Sequence, residues 1–430
     1  MIIPEPSDRS LISNGFMELR RRGLLLSLTV SLSLGLVAST IYVPSVPAIA
    51  HGLHTSIARV QFTFVAYLLA FATSMLVLGP LSDRFGRKRM LICGLVLTAL
   101  SSLGCAAAPT IEFLIAARIL QGIGACAGMV IGRAVTRDVW RPEAAAQVIA
   151  GRVIVSTLLQ AFAPVLGGYL QVWFGWRANF LVVMALACFA ITLVICYLPD
   201  GNRGQRQSLE RQRMLASYHT LVLTRRFIGY AFSGAGAHAG FHIFAAGAPA
   251  VLIGKFGLTP EHYGYYAALP PLGFIIGSFV SQRLTGRLGI DRVIAIGMMI
   301  LVPAGLIMVA LALAHIPHPF SVVGPVIFVC CGSGLITSNA AVGSLGTNSQ
   351  IVGAASGLGS FIQMTGAASA TAALTLGPSG SQLVLALTIA FAGLFCVISF
   401  GALVRSPPIQ AEVEGALADA RVRSGAASPS

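Results

Sequence analysis

Twelve runs of roughly 20 apolar residues dominate this chain and restrict its fold more than any other feature. A helix needs about 20 apolar residues to cross a hydrocarbon core about 30 Å thick. Charged residues make up only 10% of the chain, against about 25% in soluble domains. The sequence therefore predicts an all-α integral membrane protein with 12 transmembrane helices. The predicted spans cover residues 24–43, 60–80, 90–108, 111–132, 147–172, 178–198, 227–254, 262–282, 293–314, 320–341, 351–376 and 382–404.

Basic residues give the chain a net charge of +14 and predict its orientation. A nucleic-acid-binding protein collects its basic residues on one folded face. Here they are spread over short loops, so we expect no nucleic-acid partner. The N-terminal segment, the C-terminal tail and the loops after spans 2, 4, 6 and 8 hold most of them, whereas the other side keeps only Arg59, Arg177 and Lys255. By the positive-inside rule, both termini are expected in the cytoplasm.

The eight cysteines all lie within apolar spans, and the sequence has no CxxC pair and no cluster of histidines. This distribution argues against a disulfide framework or a metal site, and we expect no cofactor. A cleaved signal peptide is the alternative for the first span, because Arg20 to Arg22 precede it and "AIA" at 48–50 follows it. Its apolar run exceeds the roughly 7 to 15 residues of a signal peptide, so an uncleaved first helix is predicted.

The longest polar interruption of the chain separates two halves of similar length. Shifting the numbering by 203 aligns residues 81–89 with residues 284–292, and Leu81, Arg84, Gly86 and Arg89 are matched by identical residues. Parallel six-helix repeats of this kind place a substrate site at their interface in transporters. We therefore predict two pseudo-symmetric six-helix bundles. The predicted divisions are a cytoplasmic N-terminal segment at 1–23, an N-terminal bundle at 24–198, a cytoplasmic linker at 199–226, a C-terminal bundle at 227–404 and a disordered cytoplasmic tail at 405–430.

The segment "GPLSDRFGRKR" at 79–89 places five charged residues between two uncharged spans. A carboxylate at a helix end, such as Asp83, can accept hydrogen bonds from the free N–H groups at the start of a neighbouring helix. Gly79 and Gly86 would permit close approach of the backbone. Arg84 and Arg87 can pair with acidic side chains or lipid phosphates. A basic loop that only sets topology is the alternative interpretation.

This segment resembles the loop between spans 2 and 3 of the major facilitator superfamily. The resemblance implies a conformational gate, in which Asp83 contacts the start of span 11 near Ser349 to Ile351. Arg137 and Asp138 look like the Arg-Asp pair that ends the fourth span of the same family. They are the expected partners of the Asp83 loop.

Arg118 lies seven residues into the fourth span, roughly 10 Å along a helix. Ionisable groups within a membrane usually face a cavity and mark a pathway. Gln121 follows on the same face, and a stripe of small residues for close helix packing runs along the span. The stripe consists of Gly124, Gly128 and Gly132. The alternative is that Arg118 extends to the outer membrane interface.

The segment "APVLGGYLQVWFGWRANF" at 163–180 resembles the antiporter motif of span 5, in which Pro164, Gly167 and Gly168 bend and thin the helix. Together with "YVPSVPAIA" at 42–50 and "VQFTF" in span 2, it resembles the bicyclomycin-resistance (Bcr/CflA) branch of 12-span drug:proton antiporters. The resemblance covers residues 24–198 well and the second half weakly. It implies proton-coupled export of drug-like molecules across the bacterial inner membrane.

One position departs from that branch, whose members commonly carry an Asp two residues before the Tyr of span 1. This chain has Thr40 there, and a threonine cannot exchange a proton at physiological pH. His238 and His242 lie one helical turn apart in span 7, and histidine titrates near neutrality. They are therefore the candidate proton-coupling residues. The alternative is that both only form hydrogen bonds in the wall of a cavity.

The sequence as a whole predicts a secondary transporter and not an enzyme or receptor, because no nucleotide loop, metal cluster or nucleophile motif is present. The expected partners are a small amphipathic molecule, protons and the lipid bilayer, and the chain is expected to act as a monomer. Its two halves would rock about a site near the midplane. A metabolite importer or facilitator without proton antiport is the alternative. The candidate residues of the substrate cavity are Tyr42, Arg118, Gln121, Gln160, His242 and Gln363.

Overall fold

The structure is a computed structural model that describes residues 8–199, 218–345 and 352–405. Side chains are described from residue 21 onward, except at residues 142, 143, 146, 345, 352, 353 and 405. Within these ranges twelve long helices account for nearly all residues, and no strand is present. They are α1 Asp8–Thr40, α2 Ile57–Phe85, α3 Arg87–Ala107, α4 Ile111–Val139, α5 Pro142–Phe174, α6 Arg177–Tyr197, α7 Arg225–Pro249, α8 Pro260–Leu288, α9 Ile290–Leu313, α10 Phe320–Leu345, α11 Val352–Ala372 and α12 Gln382–Phe400.

Several helices continue into tighter or wider turns. A 3₁₀ turn at Val43–Ser45 joins α1 to a short helix at Val46–Gly52, and a 3₁₀ turn at Ala373–Leu376 follows α11. Turns of π type follow α7 at Ala250–Lys255 and α12 at Gly401–Arg405. The helices therefore extend beyond most predicted spans, because an apolar run marks only the part of a helix that lies in hydrocarbon.

Local sequence explains where several helices begin and end. The side-chain oxygens of Ser56, Thr110 and Ser381 each accept a hydrogen bond from the backbone N–H three residues later, which caps α2, α4 and α12. Gly86 separates α2 from α3 with a φ of 96°, and Gly289 separates α8 from α9 with a φ of 80°. Both values lie in the left-handed region that favours glycine. The repeat inferred from sequence is thus present in the backbone conformation of the two loops.

Ten segments of the described chain are long and apolar enough to cross a membrane, and they include every long helix except α8 and α11. Those two helices are of similar length but richer in polar and small residues. They are also the helices through which the C-terminal half packs against the other half, α8 against α5 and α11 against α2. Packing against protein explains why their composition is less apolar. The twelve-helix membrane fold predicted from sequence is confirmed.

The two halves repeat the same helix contacts. In the first half α1 packs against α4, α5 and α6, and in the second half α7 packs against α10, α11 and α12. Likewise α4 packs against α2 and α3, as α10 packs against α8 and α9. The interface between the halves follows the same symmetry, because α5–α8 and α2–α11 are equivalent pairs. A site between the halves is therefore bordered by α2, α5, α8 and α11.

We call the end of the bundle that holds the loop at Gly86 the linker end, and the opposite end, where α5 ends and α8 begins, the far end. At the far end the halves pack closely. A Cβ added to Gly168 of α5 would lie 2.3 Å from the carbonyl oxygen of Pro260. At the linker end, Gly151 of α5 and Gly286 of α8 have open space where a Cβ would lie. The α5–α8 interface is therefore tight at the far end.

Some sequence-based boundaries change in the structure. The predicted N-terminal segment at 1–23 already belongs to α1 from Asp8 onward. Arg133, which the span boundary at 132 assigned to the basic loop after span 4, lies inside α4. The predicted contact near Ser349 to Ile351, residues 200–217 of the linker and residues 406–430 of the tail lie outside the described residues.

Candidate functional site

The Asp83 loop forms a compact ionic cluster at the linker end. Asp83 Oδ1 lies 2.9 Å from Arg87 Nη1, four residues further along the chain and beyond the turn at Gly86. Arg87 Nε donates to the Asp138 carboxylate at the end of α4, and Arg87 Nη1 lies 3.3 Å from Ser82 Oγ. The cluster predicted between this loop and Asp138 is therefore present. Arg137 beside it is exposed.

The two glycines of this loop have different roles from those expected. Gly86 needs its left-handed backbone, and a Cβ added there would meet no atom within 4 Å. A Cβ on Gly79 would lie 3.8 Å from the Val130 side chain, an ordinary contact distance. Close backbone approach therefore explains neither glycine in this conformation. Arg84 lies over the Phe85 ring, with its guanidinium carbon 5.4 Å from the ring centroid.

Arg118 is fully buried in the first half. Its guanidinium carbon lies 4.5 Å from the ring centroid of Tyr42 and 4.2 Å from that of Tyr67. Arg118 Nη1 donates to the Ala38 carbonyl oxygen at 2.9 Å and to Gln121 Oε1, whereas Nε and Nη2 have no hydrogen-bond partner. The alternative in which Arg118 extends to the membrane interface is wrong for this conformation.

Tyr42 and Gln121 complete the group around Arg118. The Tyr42 hydroxyl lies 3.1 Å from Thr63 Oγ1, and Gln121 Nε2 donates to Ser102 Oγ at 2.7 Å. The structure thus brings three of the six candidate cavity residues together. All three are buried, with exposures of 0 to 1%. They do not line an open cavity in this conformation, and their role in binding stays a prediction.

The remaining candidate cavity residues lie elsewhere. His238 and His242 have ring centroids 4.7 Å apart, and His242 Nδ1 lies 3.2 Å from the His238 carbonyl oxygen. They therefore share one face of α7, as the spacing predicts. Gln363 of α11 packs against the same helix, because a Cβ on Gly234 would lie 2.6 Å from its Nε2. Gln160 is half-buried on α5.

The aromatic ring of Phe64 connects the two groups. Phe64 follows Thr63, the partner of Tyr42, and its ring centroid lies 6.1 Å from that of His242. Nearby, Gln61 Nε2 donates to the Ala246 carbonyl oxygen of α7 at 3.1 Å. The first turns of α2 therefore link the Arg118 group in one half to the histidine pair in the other.

The glycines of α4 and α5 permit very close helix packing. A Cβ added to Gly124 would lie 2.6 Å from the carbonyl oxygen of Gly94. At Gly128 it would lie 2.0 Å from the Ser31 carbonyl oxygen, and at Gly167 it would lie 1.7 Å from the Ile41 carbonyl oxygen. No methyl group fits at these distances without movement of backbone. The small-residue stripe of α4 thus receives α1 and α3. The thinned face of α5 receives α1 at Gly167 and α8 at Gly168, and α5 runs through Pro164 without a break.

The sequence analysis singled out neither Arg152 nor Arg133, although both lie within helices. Arg152 is only 4% exposed. Its Nη2 donates to the Leu28 carbonyl oxygen at 2.6 Å, and its Nη1 donates to Gly132 O at 3.0 Å and Thr136 Oγ1 at 2.7 Å. The signal was available, because Arg152 lies five residues inside a predicted span. Tyr67 was also missed, since nothing in the sequence pairs it with Arg118.

Comparison with known proteins agrees with this architecture. The family model of the Major Facilitator Superfamily matches residues 28–371, four-fifths of the chain. The chain is 27% identical over 316 residues to a bicyclomycin resistance protein homolog of Haemophilus influenzae, covering 73% of this chain and 79% of that protein. It is 30% identical over 272 residues to multidrug resistance protein D of Escherichia coli, covering 62% and 67% of the two chains.

Solved structures share the fold at low sequence identity. A D-xylose-proton symporter has a TM-score of 0.72 at 14% identity, and the alignment covers 87% of this chain and 96% of the symporter. An inward-facing bacterial homolog of the human lysosomal transporter Spinster has a TM-score of 0.68 at 15% identity, with 89% and 96% of the two chains covered. At these identities the likeness concerns the fold alone.

Proposed function

The chain belongs to the Major Facilitator Superfamily, and on that premise we propose that it exports small amphipathic, drug-like molecules by alternating access. It is a membrane transporter and not an enzyme, as its relatives and fold neighbours are transporters. The observation that carries the export proposal is its similarity, at 26 to 30% identity, to bacterial proteins named for resistance to bicyclomycin, chloramphenicol and multiple drugs.

The packing between the halves supports an alternating-access cycle. The α5–α8 contact at Gly168 and the hydrogen bond between Tyr169 and Tyr265, 2.6 Å between hydroxyl oxygens, seal the far end. These contacts join the two bundles and lie outside the packing within each bundle, so they can open while each bundle stays intact. We assign gating to the cluster of Asp83, Arg87 and Asp138 at the linker end, together with Gly79, Arg84, Gly86 and Arg137. Of the helix-bending motif, Pro164 and Gly168 pack against α8 at the far end, whereas Gly167 packs against Ile41 of the same half.

The chain spans the membrane many times, and we propose that it lies in the bacterial inner membrane as a monomer with both termini in the cytoplasm. The linker end would then face the cytoplasm, and the far end the outside. Cysteine labelling from outside the cell tests this orientation. Cysteines near His51 or Lys255 should react, and cysteines near Arg87 or Arg211 should not. The opposite pattern would overturn the orientation.

Growth and transport measurements test the export proposal. A strain that overproduces the protein should tolerate at least one compound of an antimicrobial panel better than a deletion strain. Inside-out membrane vesicles that contain the protein should then accumulate that compound when energised. The Asp83→Asn variant, which should insert normally, serves as the matched control. Equal growth of both strains across the panel, with no accumulation in vesicles, would contradict export.

An importer or facilitator of metabolites is the second candidate, and Thr40 is the observation that favours it. Thr40 is only 2% exposed, and its Oγ1 donates to the Leu36 carbonyl oxygen at 3.2 Å. A hydroxyl group does not titrate at physiological pH, so this position cannot alternate between a charged and a neutral form. His238 and His242 remain as proposed coupling residues. This candidate would be favoured if a substrate enters intact cells faster with the protein than without it and if the rate of uptake does not depend on a pH gradient.

A further inference from the structure

Three arginines of α2 to α6 lie more than one turn inside their helices, whereas no acidic residue of the described helices after α1 does. They are Arg118 and Arg133 of α4 and Arg152 of α5. The acidic residues of the described helices after α1 all lie in a first or last turn. These are Asp83, Glu112, Asp138, Glu143, Glu261 and Asp291. Among the described residues, the membrane interior of the first half is therefore cationic.

Arg133 and Arg152 form the inner part of this cationic region. Arg133 lies six residues before the end of α4, roughly 9 Å from it, and Arg152 lies about 15 Å into α5. Arg152 Nη1 donates to the carbonyl oxygen of Gly132, the residue immediately before Arg133, so both arginines lie in the same part of the first half. Arg133 is half-buried. Its guanidinium has no hydrogen-bond or ion-pair partner in the part of the chain that the structure describes.

The hydrogen bonds of Arg152 leave its charge uncompensated. Its three acceptors are two backbone carbonyls and a hydroxyl group, and its buried Nε has no partner. A buried charge that lacks a counter-charge is strongly destabilising, and a second cation beside it adds repulsion. A bound anion would remove both penalties, and the flat guanidinium group matches a carboxylate with two parallel hydrogen bonds.

We propose that Arg133 and Arg152 form an anion-binding site and that the transported molecule is an amphipathic organic anion with a carboxylate group. This inference rests on the proposed transport function and names its substrate class. Arg118 provides a second binding position deeper in the same half, about 22 Å along α4 from Arg133. Its Nε and Nη2 are buried and unpartnered, and the rings of Tyr42 and Tyr67 beside it suit the apolar body of such a molecule.

Thermal unfolding of the purified full-length protein tests the site without knowledge of the natural substrate. The probes are benzoate, 2-naphthoate and octanoate, each compared with its uncharged amide. Carboxylates that bind the folded state should raise the unfolding temperature with concentration, and the amides should not. Arg133→Gln should weaken the apparent affinity for the carboxylates by about tenfold or more, the usual effect of losing a charged hydrogen-bond donor.

Two further variants keep the result interpretable. Arg59→Gln removes an arginine that pairs with Glu112 at the exposed far end, and it should leave the carboxylate effect unchanged. Arg152→Lys keeps the positive charge and should retain part of the effect even where Arg152→Gln does not fold. Equal stabilisation by acids and amides, no stabilisation by either, or an unchanged affinity in Arg133→Gln would overturn the proposal.

The same measurements separate this inference from the export proposal. If a neutral drug from the growth panel accumulates in vesicles while no carboxylate stabilises the protein, the anion site is wrong and export stands. If carboxylates bind in an Arg133-dependent manner while no panel compound is exported, the site stands and drug export is wrong.

Discussion

Replacing Gly168 by alanine should open the far end of the transporter. The added Cβ would lie 2.3 Å from the Pro260 carbonyl oxygen and 2.8 Å from Glu261 Cα, both of which are backbone atoms. Ordinary contact starts at 3.4 Å, so α5 and α8 must separate locally by about 1 Å. Overpacking of this kind costs about 1 to 3 kcal/mol. Only the conformation closed at the far end carries this cost, so its population relative to the open conformation should fall by about 5- to 150-fold.

Distances between spin labels would measure this shift. In a background without native cysteines, labels at Phe174, which is 72% exposed at the end of α5, and at exposed Thr259 before α8 should report a longer distance in Gly168→Ala. Gly151→Ala is the matched control, because the same helix has open space there, and it should keep the distance of the parent protein. An unchanged distance in Gly168→Ala, or an equal increase in both variants, would refute the argument.

Three other substitutions test the remaining assignments. Asp83→Asn should insert and bind substrate normally but transport poorly, because it removes the carboxylate that pairs with Arg87 in the linker-end cluster. Transport at the rate of the parent protein would show that residues 79–89 only set the membrane topology. Arg118→Lys should lose most transport, since a point charge cannot replace a planar donor between two rings; near-normal transport with the same substrate range would contradict this. The double variant His238→Gln, His242→Gln should still exchange substrate at equal pH in proteoliposomes but lose accumulation driven by a pH step. Unchanged pH-driven accumulation in the double variant would show that the histidines are not the coupling residues. If the parent protein shows no pH-driven accumulation, transport is not coupled to protons.

The helix pattern was predictable because it depends on composition within short windows. Each apolar run long enough to cross a bilayer corresponds to a helix, and the aligned loops of the two halves both turn at a left-handed glycine, Gly86 and Gly289. Helix ends were less predictable. Hydropathy detects the part of a helix in hydrocarbon, whereas α1 already includes the residues from Asp8 onward and α4 continues past Arg133.

The candidate site was predictable only where its contacts are local. His238 and His242 are one helical turn apart on α7, so spacing alone brings them together. Asp83 and Arg87 are four residues apart on either side of the turn at Gly86, so their contact is also local in sequence. The surroundings of Arg118 depend on Tyr67 and on the backbone of Ala38, which are distant in sequence. Such contacts follow from the packing of α1, α2 and α4 against one another, which no single segment of the sequence encodes.

The charge of the substrate and the source of energy are linked through the membrane potential. Moving one elementary charge across 100 mV is worth about 2.3 kcal/mol, which corresponds to an accumulation of about 50-fold. Bacterial cells are negative inside, so an exported monoanion moves with this potential and needs no proton. Thr40, which cannot carry a proton, is then compatible with active export. If the substrate is an anion, Thr40 therefore no longer favours an importer over an exporter.

The histidine pair changes the electrical balance in a way that depends on the substrate. Exchange of one exported monoanion for one imported proton moves two charges per cycle, whereas transport of an anion alone moves one. Exchange of a neutral molecule for a proton also moves one charge per cycle. Once the histidines are replaced, however, transport of the neutral molecule moves no charge, so the membrane potential cannot drive it. Protonated His238 or His242 would also add positive charge to an interior that already holds Arg118, so a bound anion and a bound proton favour each other. An anionic substrate therefore makes direct competition between substrate and proton unfavourable. The membrane potential can still drive export of that substrate when both histidines are replaced.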